Sequence, residues 1–232
     1  MSIPYFYQEG VGAKGSIVLN EETSKHCIQV LRMKVGEPLH LTDGKGLLHK
    51  AIIVDANKRH CGVKISESTF FEKKGRNVSI GISLLKNANR LEWFLEKATE
   101  MGVSEIIPLL CDRTERQHFR FDRMQNILIS AMLQSQQTWL PVLHQPTEAE
   151  SVINASIYTQ KLIAHCEDAN KQTIAEMELS NDVRILIGPE GDFSPKEIEM
   201  ALQNGYLPTS LGNTRLRTET AGMVAVALLV NR

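Results

Sequence analysis

The spacing of hydrophobic and polar positions changes once along the chain, near residue 70. Up to Phe70, short apolar runs separated by turn residues predict strands, and one run after Asn20 predicts a short capped helix, EETSKHCIQVL. The predicted strands are KGSIVLN, PLHLTDG, LLHKAIIVDA and CGVKISES. The middle two flank Asp43-Gly44-Lys45-Gly46, whose composition is typical of a hairpin turn. This part of the chain is predicted to form a small β-barrel or sheet.

From Val78 onward, continuous apolar runs alternate with segments of helical periodicity. The runs VSIGISLL, SEIIPLLC, KLIAHCE and VRILIG are typical of buried strands. The first helical segment, ending with Gly102 as its C-cap, places five apolar residues on one face: Leu91, Phe94, Leu95, Ala98 and Met101. The second, opened by Asp122, does the same with Met124, Ile127, Leu128, Ala131 and Met132. This alternation predicts an α/β domain with a parallel sheet.

The charged segment FFEKKGRN (70–77) separates these two patterns, so we predict domains of residues 1–72 and 73–232. Further along, Ser194 and Glu197 form a capping box with Pro195 at the first helical position. The last predicted helix, TAGMVAVALLV, is apolar on every side, which predicts burial all round. It is either a central helix covered by other helices or part of a subunit interface.

The composition is that of an ordinary soluble domain, with 42% apolar and 6% aromatic residues. No apolar run has the length of a membrane span, and the start MSIPYFYQEG lacks a signal pattern. Four widely spaced cysteines predict free thiols in a reducing cytosol, hence a cytoplasmic protein. Net charge is −1, but residues 1–75 carry +3 and residues 146–232 carry −5. A basic face is therefore expected on the amino-terminal part.

Two familiar patterns are present without the context that their chemistry needs, and a third is absent. GVGAKG (10–15) matches the dinucleotide-binding spacing, but it leads into a strand instead of a helix, so we interpret it as a loop. His-Cys occurs three times, yet neighbours on a strand point to opposite faces, and no second pair stands at ligand spacing. No zinc or other metal site is predicted. The G-x-S-x-G elbow of hydrolases does not occur.

Three strand ends in the carboxy-terminal region carry unusual turns: AHCED (164–168), IGPEGD (187–192) and SLGNTRLRTETAG (210–222). Ligands of open α/β sheets bind just outside the carboxyl ends of strands. Glycines in such turns let the backbone approach a ligand closely, although any one of them also serves simply to make a tight turn. Together the three turns predict a ligand site.

The strings IGPEGDFSPKEI and SLGNTRLRTETAG resemble the signature of the RsmE family, the bacterial 16S ribosomal RNA uridine-N3 methyltransferases of the SPOUT (trefoil-knot) class. HCIQVLRMKVGE (26–37), KATEMGVSEIIPLLCDR (97–113) and QSQQTWLP (134–141) extend the resemblance over nearly the whole chain. The family has a second glycine where this chain has Asp192, and often an arginine where Gln137 stands. We expect Asp192 only to cap the following helix.

The resemblance implies a PUA-like RNA-binding β-barrel followed by a knotted α/β domain, working as a homodimer through the last helix. S-adenosylmethionine would be the methyl donor, without metal, and 16S rRNA of the small ribosomal subunit the substrate. The implied donor-binding residues act mostly through their backbone and are His165, Ile187, Gly188, Pro189, Gly191, Ser210, Leu211, Gly212 and Leu216. The implied RNA contacts are Arg32, Lys34, Arg113 from the facing subunit, and Gln134 in the QSQQTWLP loop.

For catalysis we expect Arg217 to stabilise the charge that develops on the uracil, because an arginine beside carbonyl oxygens stabilises an imidate electrostatically. Glu219 would orient that arginine or act as the base. The alternative for both is a structural ion pair between them. Two other functions stay open: a knotted methyltransferase that acts on a different RNA, and a non-catalytic RNA-binding protein that kept the fold.

Overall fold

The computed structural model describes residues 3–12, 15–115, 118–167 and 170–231. The chain forms two units, one made of Met1–Lys73 with Met132–Leu140, and the other of Lys74–Ala131 with Pro141–Arg232. The segment Met132–Leu140 therefore belongs to the amino-terminal unit although it is distant in sequence. None of the helices among the described residues combines the length and apolar character needed to cross a membrane.

The first unit contains one five-stranded sheet in the order β1-β3-β4-β5-β2. Its elements are β1 (Tyr5–Tyr7), β2 (Gly15–Val18), α1 (Glu21–Lys25), β3 (Pro38–Thr42), β4 (Leu47–Asp55) and β5 (Gly62–Phe70). The strand β1 pairs parallel to β3, and the other neighbours are antiparallel. The predicted β3–β4 hairpin is confirmed, and the Asp43 carboxylate accepts hydrogen bonds from the backbone of Lys45 and Leu47. Alternate residues of these strands fill a core that includes Leu39, Leu41, Ile53 and Val63.

Two details of the first unit differ from the prediction. Asn20 caps the helix as predicted, accepting from the Thr23 backbone N–H at 2.8 Å, but α1 is followed by a π-helical turn, His26–Val30. The strand β1 was not predicted, because three residues are too few to show a period. In the GVGAKG segment, positions 13 and 14 lie outside the described residues, and Gly15 already begins β2.

The QSQQTWLP loop is anchored on the β3–β4 hairpin of the same unit. The Trp139 indole N–H donates to the Phe71 carbonyl at 2.8 Å, and its ring lies edge-on to Phe70. Gly46, at φ +99°, makes this contact possible, because an added Cβ would stand 2.7 Å from both the Phe70 and the Trp139 rings. The substrate-side loop implied by the resemblance is thus a fixed part of the amino-terminal unit.

The second unit is built on an eight-stranded sheet in the order β11-β13-β10-β12-β6-β7-β8, with β9 also paired to β7, and all its pairs are parallel. Its strands are β6 (Asn77–Ser83), β7 (Glu105–Leu110), β8 (Val142–Leu143), β9 (Thr147–Glu148), β10 (Gln160–Ala164), β11 (Gln172–Thr173), β12 (Asp182–Ile187) and β13 (Leu207–Ser210). Its helices are α2 (Ala88–Glu100), α3 (Phe121–Gln134), which ends in the first unit, α4 (Ala149–Asn154), α5 (Pro195–Gln203) and α6 (Thr218–Val230).

The main elements predicted for this region are confirmed. Gly102, at φ +87°, follows the C-cap residue Met101 of α2. Ser194 and Glu197 form the capping box of α5 in both directions, with Pro195 at its start. The elements α4, β8, β9 and β11 were not predicted, because two to six residues carry too little periodicity. The trefoil knot implied by the resemblance stays a prediction.

The last helix, α6, is covered by this chain on one face only. Its buried residues are Thr218, Glu219, Gly222, Ala225, Val226 and Leu229. Gly222 lets α6 lie close to α2 and β6, because an added Cβ would stand 2.7 Å from the Phe94 ring and 3.0 Å from the Ile82 Cδ1. The opposite face, with Met223, Val224 and Leu228, is half-buried. Burial on every side was predicted, and the described chain does not provide it.

A buried ion pair joins three strands near the amino end of the sheet. The Glu105 carboxylate, on β7, accepts from Arg184 Nη2 on β12 at 2.8 Å and from the Ser79 hydroxyl on β6. It also bonds the His144 ring nitrogen at 2.8 Å and the Tyr158 hydroxyl at 3.0 Å. Burial alone would raise the pKa of the Glu105 carboxyl, but the hydrogen bonds from Ser79 and Arg184 outweigh it and lower the pKa from 4.5 to about 2.

We expect Glu105→Gln to lower the free energy of unfolding at pH 7 by about 2–4 kcal/mol, since it leaves the Arg184 charge buried and unpaired. The pKa of the Glu105 carboxyl is lower in the folded protein than in the unfolded chain, so its ionised form stabilises the fold at pH values above 4.5. This contribution is lost as the pH falls from 4.5 towards 2. The variant should therefore be less sensitive to acid over that window. Urea unfolding at pH 7, 4.5 and 2.5 measures both effects. As a control, Glu176→Gln, at an exposed position, should change the free energy of unfolding little. Equal losses in the two variants would contradict the role of the Glu105–Arg184 pair.

Candidate functional site

The carboxyl ends of β10, β12 and β13 lie at one edge of the sheet, where their loops form an open cleft of about 750 Å³. The parallel register brings Ala164, at the end of β10, next to Ile187, at the end of β12. The three unusual turns noted in the sequence thus converge on one cleft. Asp168, the last residue of the AHCED turn, lies outside the described residues.

Most of the residues implied by the resemblance for donor binding line this cleft: His165, Ile187, Gly188, Pro189, Ser210, Leu211, Gly212 and Leu216. Arg217 lines it as well. Gly191 and Glu219 do not belong to its lining. Lys171 lines the cleft as well, and it was missed because it lies in none of the three turns and nothing in its local pattern distinguishes it from an ordinary loop residue.

His165, directly after β10, presents unsatisfied polar atoms at the cleft. Its side chain is 9% exposed, and within the described part of the chain neither ring nitrogen has a hydrogen-bond partner. Burial lowers the pKa of its imidazole, and the nearby Lys171 ammonium lowers it further. The ring is therefore neutral at pH 7, with one nitrogen as donor and the other as acceptor. Buried polar groups normally have partners, so these two are suited to a polar ligand.

The loop after β12 is folded tightly on itself. Phe193 is fully buried, and its ring and backbone pack so closely on Gly188 that an added Cβ there would stand 3.0–3.2 Å from them. Arg113 Nη1 donates to the carbonyls of Gly191 at 2.8 Å and Phe193 at 3.3 Å. The arginine expected to contact RNA thus also holds this loop in place.

Asp192 joins this loop to the one after β10. Its backbone adopts the left-handed conformation, with φ +66°. One carboxylate oxygen accepts from the Cys166 backbone N–H at 2.6 Å and the other from the Phe193 N–H at 2.9 Å. The expectation that Asp192 only caps the next helix is wrong, because Ser194 is the capping residue and Asp192 bridges two loops.

The loop after β13 leads directly into α6. The Ser210 hydroxyl bonds the backbone of Gly212, which has φ +142°. Arg217 is the N-cap residue of α6, and its side chain is exposed. Its guanidinium forms no ion pair within the described ranges.

Glu219, in the first turn of α6, points away from the cleft. It is 8% exposed, and its Oε1 lies 3.5 Å from Arg90 Nε on α2. Its Oε2 is buried without a hydrogen-bond partner among the described residues. In this structure the ion pair of Glu219 is therefore with Arg90, and not with Arg217. Arg90 was missed because only the packing of α2 on α6 brings it near Glu219.

The remaining RNA-contact candidates lie in the first unit. Arg32, at φ +55°, and Lys34 are exposed next to β3, and Gln134 is exposed at the end of α3. Gln137, where the family often has arginine, closes a turn: its backbone N–H donates to Met132, and its side-chain amide donates to the Ser135 hydroxyl at 2.9 Å.

The cleft carries charges of both signs. The cationic side chains Lys171, Arg215 and Arg217 stand with the carboxylates of Glu190 and Asp192 among its lining. Within the ranges that the structure describes, no group of three or more His, Cys, Asp or Glu residues is arranged to hold a metal ion. The site thus offers backbone groups, a neutral imidazole and the exposed side chains of Arg215 and Arg217.

The chain has a small β unit followed by a parallel α/β unit with a glycine-lined cleft at its strand ends. This arrangement agrees with the families that the chain matches. The model of an RNA methyltransferase domain matches residues 72–230, and that of an RNA methyltransferase PUA domain matches residues 19–66. The chain belongs to this RNA methyltransferase family, with an amino-terminal PUA-like domain.

Two solved structures and one curated relative are similar along nearly the whole chain. A probable rRNA methyltransferase from Porphyromonas gingivalis has 37% identity and a TM-score of 0.89, covering 97% of this chain and 96% of its own. A putative methyltransferase from Legionella pneumophila, in complex with bound SAM, has 30% identity and a TM-score of 0.89, covering 99% and 97%. The ribosomal RNA small subunit methyltransferase E of Rickettsia conorii is 28% identical, covering 85% of this chain and 82% of its own.

The two glycines of the loop after β12 allow a matched test of its packing. Gly188→Ala should lower the free energy of unfolding by about 1–3 kcal/mol, because the new methyl group overlaps buried Phe193. Gly191→Ala should change it by less than about 0.5 kcal/mol, because its Cβ meets Arg113 only at 3.5 Å, an ordinary contact. Urea unfolding of both variants measures the difference. Equal effects would show that the close approach of Phe193 is not what requires glycine at 188.

Proposed function

We propose that this protein transfers the methyl group of S-adenosylmethionine to N3 of a uridine in 16S rRNA of the small ribosomal subunit, in the cytoplasm and as a homodimer. The carrying observation is that the AHCED turn and the two strings that resemble the family signature, IGPEGD and SLGNTRLRTETAG, form one cleft at the carboxyl ends of β10, β12 and β13. The L. pneumophila relative was solved with SAM, and the R. conorii relative is named for ribosomal RNA of the small subunit.

The cleft residues fit the donor. The volume of about 750 Å³ is in the range of small-molecule sites. The unpartnered ring nitrogens of His165 would bind polar groups of the donor, and the backbone of residues 187–191 and 210–216 would surround it. Bound there, the donor supplies an electrophilic methyl group on a sulfonium sulfur. Everything else in the reaction depends on how the chain positions and stabilises the uracil.

We propose that Arg217 stabilises the uracil. A uracil that loses its N3 proton carries its charge on the ring nitrogen and the two flanking carbonyl oxygens. The exposed Arg217 guanidinium lines the cleft, and its planar fork matches two acceptors at once. Once the donor and the RNA fill the cleft and exclude water, such a cation would lower the energy of the anionic ring and of the charged transition state.

We propose that Glu219 positions Arg217 and does not take the proton. Its carboxylate pairs with Arg90 on α2 and lies outside the cleft lining. A carboxylate in the first turn of a helix also interacts favourably with the helix dipole. Glu219 therefore fixes the first turn of α6. Arg217 is the residue just before that turn, so its backbone is held in place with it.

We propose that RNA is held mainly by other parts of the chain. Arg32 and Lys34 are exposed in the PUA-like domain, as phosphate contacts require, and Gln134 would contact the RNA near the same unit. Arg113 uses Nη1 to hold the donor loop, and we propose that the rest of its guanidinium contacts substrate phosphate from the facing subunit.

The purified protein should convert a uridine of unmodified small ribosomal subunits to 3-methyluridine in the presence of S-adenosylmethionine. Nucleoside mass spectrometry identifies the product. Methylation of a different RNA, or RNA binding with no methyl transfer, would contradict the proposed function.

Arg217→Ala should slow the transfer step on the order of a hundredfold or more, as expected for the loss of one charge-stabilising donor. Arg217→Lys should recover only part of the rate. Single-turnover kinetics at saturating donor and ribosomal subunit separate this from weaker binding. A normal single-turnover rate with weaker RNA binding would make Arg217 a binding residue only.

The homodimer is proposed from the outer face of α6. On this face Val224 and Leu228 are apolar and only half-covered by their own chain, and Ala227 between them is exposed. A second copy of the same face would complete their burial. An isologous interface of this kind is the commonest arrangement of homodimers.

The neighbouring substitutions Val224→Glu and Ala225→Glu should therefore have different effects, the first on dimerisation and the second on folding. Val224→Glu places a carboxylate in the proposed interface and should give a folded monomer, because an unpaired buried carboxylate costs several kcal/mol. Ala225→Glu places it in the chain's own core, where Ala225 is 0% exposed, and should prevent folding. Light scattering at micromolar concentration with circular dichroism measures both. A wild-type monomer, or a Val224→Glu dimer, would overturn the interface.

A further inference from the structure

We propose that Asp192 is a positioning residue that latches the loop after β10 to the loop after β12 and thereby holds His165 towards the donor. This inference rests on the proposed function, because it assigns His165 a ligand. It goes further in naming the interaction that sets the geometry of the cleft and in predicting how donor affinity depends on it.

The latch acts on the peptide unit between His165 and Cys166. Its N–H, belonging to Cys166, donates to Asp192 Oδ2 at 2.6 Å, and its carbonyl oxygen, belonging to His165, accepts from Lys171 Nζ at 2.7 Å. A carboxylate and an ammonium thus hold the two ends of one peptide dipole. Hydrogen bonds to ionised groups are roughly twice as strong as neutral ones. With both ends fixed, the peptide plane cannot rotate without breaking one of them.

Fixing this plane also fixes the imidazole, since the backbone conformation of a residue restricts its rotamers. The His165 ring is 9% exposed, and its nitrogens have no protein partner in the described part of the chain that would hold their direction. Two hydrogen bonds therefore restrict the orientation of His165, that of its backbone carbonyl with Lys171 and that of the following N–H with Asp192.

Asp192 itself is held firmly enough to act in this way. Its second oxygen accepts from the Phe193 N–H at 2.9 Å, and its own N–H donates to the Pro189 carbonyl at 2.9 Å. Phe193 is buried in the core, and Arg113 binds the carbonyls on both sides of Asp192. The left-handed backbone, φ +66°, is one that aspartate tolerates better than most residues and glycine adopts freely.

This conformation provides matched variants. Asp192→Gly deletes the carboxylate without backbone strain, and Asp192→Asn keeps an acceptor oxygen in the same place but removes its charge. Lys171→Met removes the partner at the other end of the peptide unit while retaining much of the side-chain length. Loss of the two hydrogen bonds to the carboxylate should lower the thermal midpoint by a few degrees, so circular dichroism is used to check that each variant is folded at the temperature of the measurement.

Amide hydrogen exchange in the ligand-free protein tests the latch directly. Asp192→Gly should speed exchange of the Cys166 N–H at least tenfold, and Asp192→Asn should speed it less, with both variants folded by circular dichroism. Unchanged exchange at Cys166 in Asp192→Gly would overturn the latch. This measurement needs no donor, so it stands even if the proposed function fails.

Calorimetric titration with S-adenosylmethionine tests the consequence for the site. Asp192→Gly and Lys171→Met should each weaken binding about tenfold or more, and Asp192→Asn about threefold, following the order of the exchange rates. Normal affinity in Asp192→Gly together with fast exchange would show that the latch does not position a donor group and would overturn the inference. No binding by the wild-type protein would instead contradict the proposed function.

Discussion

The close approach of α6 to the sheet is the constraint on which the rest of the catalytic unit depends. At Gly222 the helix backbone comes so near to Phe94 and Ile82 that no side chain fits between them. This seating brings the first turn of α6 over α2, where Glu219 meets Arg90, and leaves Arg217 at the cleft. It also turns Val224 and Leu228 outward. If α6 lay further from the sheet by the width of one methyl group, the Glu219–Arg90 ion pair, the position of Arg217 and the outer face of α6 would all change. All three belong to one rigid element.

The cleft follows from a second constraint, the parallel direction of its strands. Because the pairs β10–β12 and β10–β13 are parallel, three loops that are separated in sequence begin at the same edge. Loops with little apolar packing need other interactions to keep a fixed geometry. Here these are charged side chains bound to backbone groups: Arg113 to the carbonyls of Gly191 and Phe193, Asp192 to the Cys166 N–H, and Lys171 to the His165 carbonyl. A site held in its productive geometry in advance pays less reorganisation energy in the reaction.

The features that could be predicted are those that depend only on residues close together along the sequence. The capping box of Ser194 and Glu197, the Asn20 cap and the β3–β4 hairpin are local, and all three are confirmed. The role of Asp192 was mispredicted because a local interpretation assigns it to the next helix, whereas sheet pairing brings Cys166 to it from another loop. Arg90 escaped prediction for the same reason. The place of Met132–Leu140 in the amino-terminal unit also depends on tertiary contacts, such as that of Trp139 with Phe71, which no periodicity records.

The Glu105 network and the buried polar atoms of His165 and Glu219 differ in how fully their hydrogen bonds are satisfied. Near the amino end, Glu105 has partners on both oxygens, and Arg184 binds both Glu105 and Ser79. Near the carboxyl end, both ring nitrogens of His165 and Glu219 Oε2 are buried without partners among the described residues. An unsatisfied buried polar atom costs about 1–3 kcal/mol. Such a cost is compatible with a stable fold only if other interactions offset it, as the Glu105–Arg184 network does at the opposite end. A ligand that supplies the missing partners would remove this cost, so the buried ring nitrogens of His165 support the proposal that the donor binds at this end of the sheet.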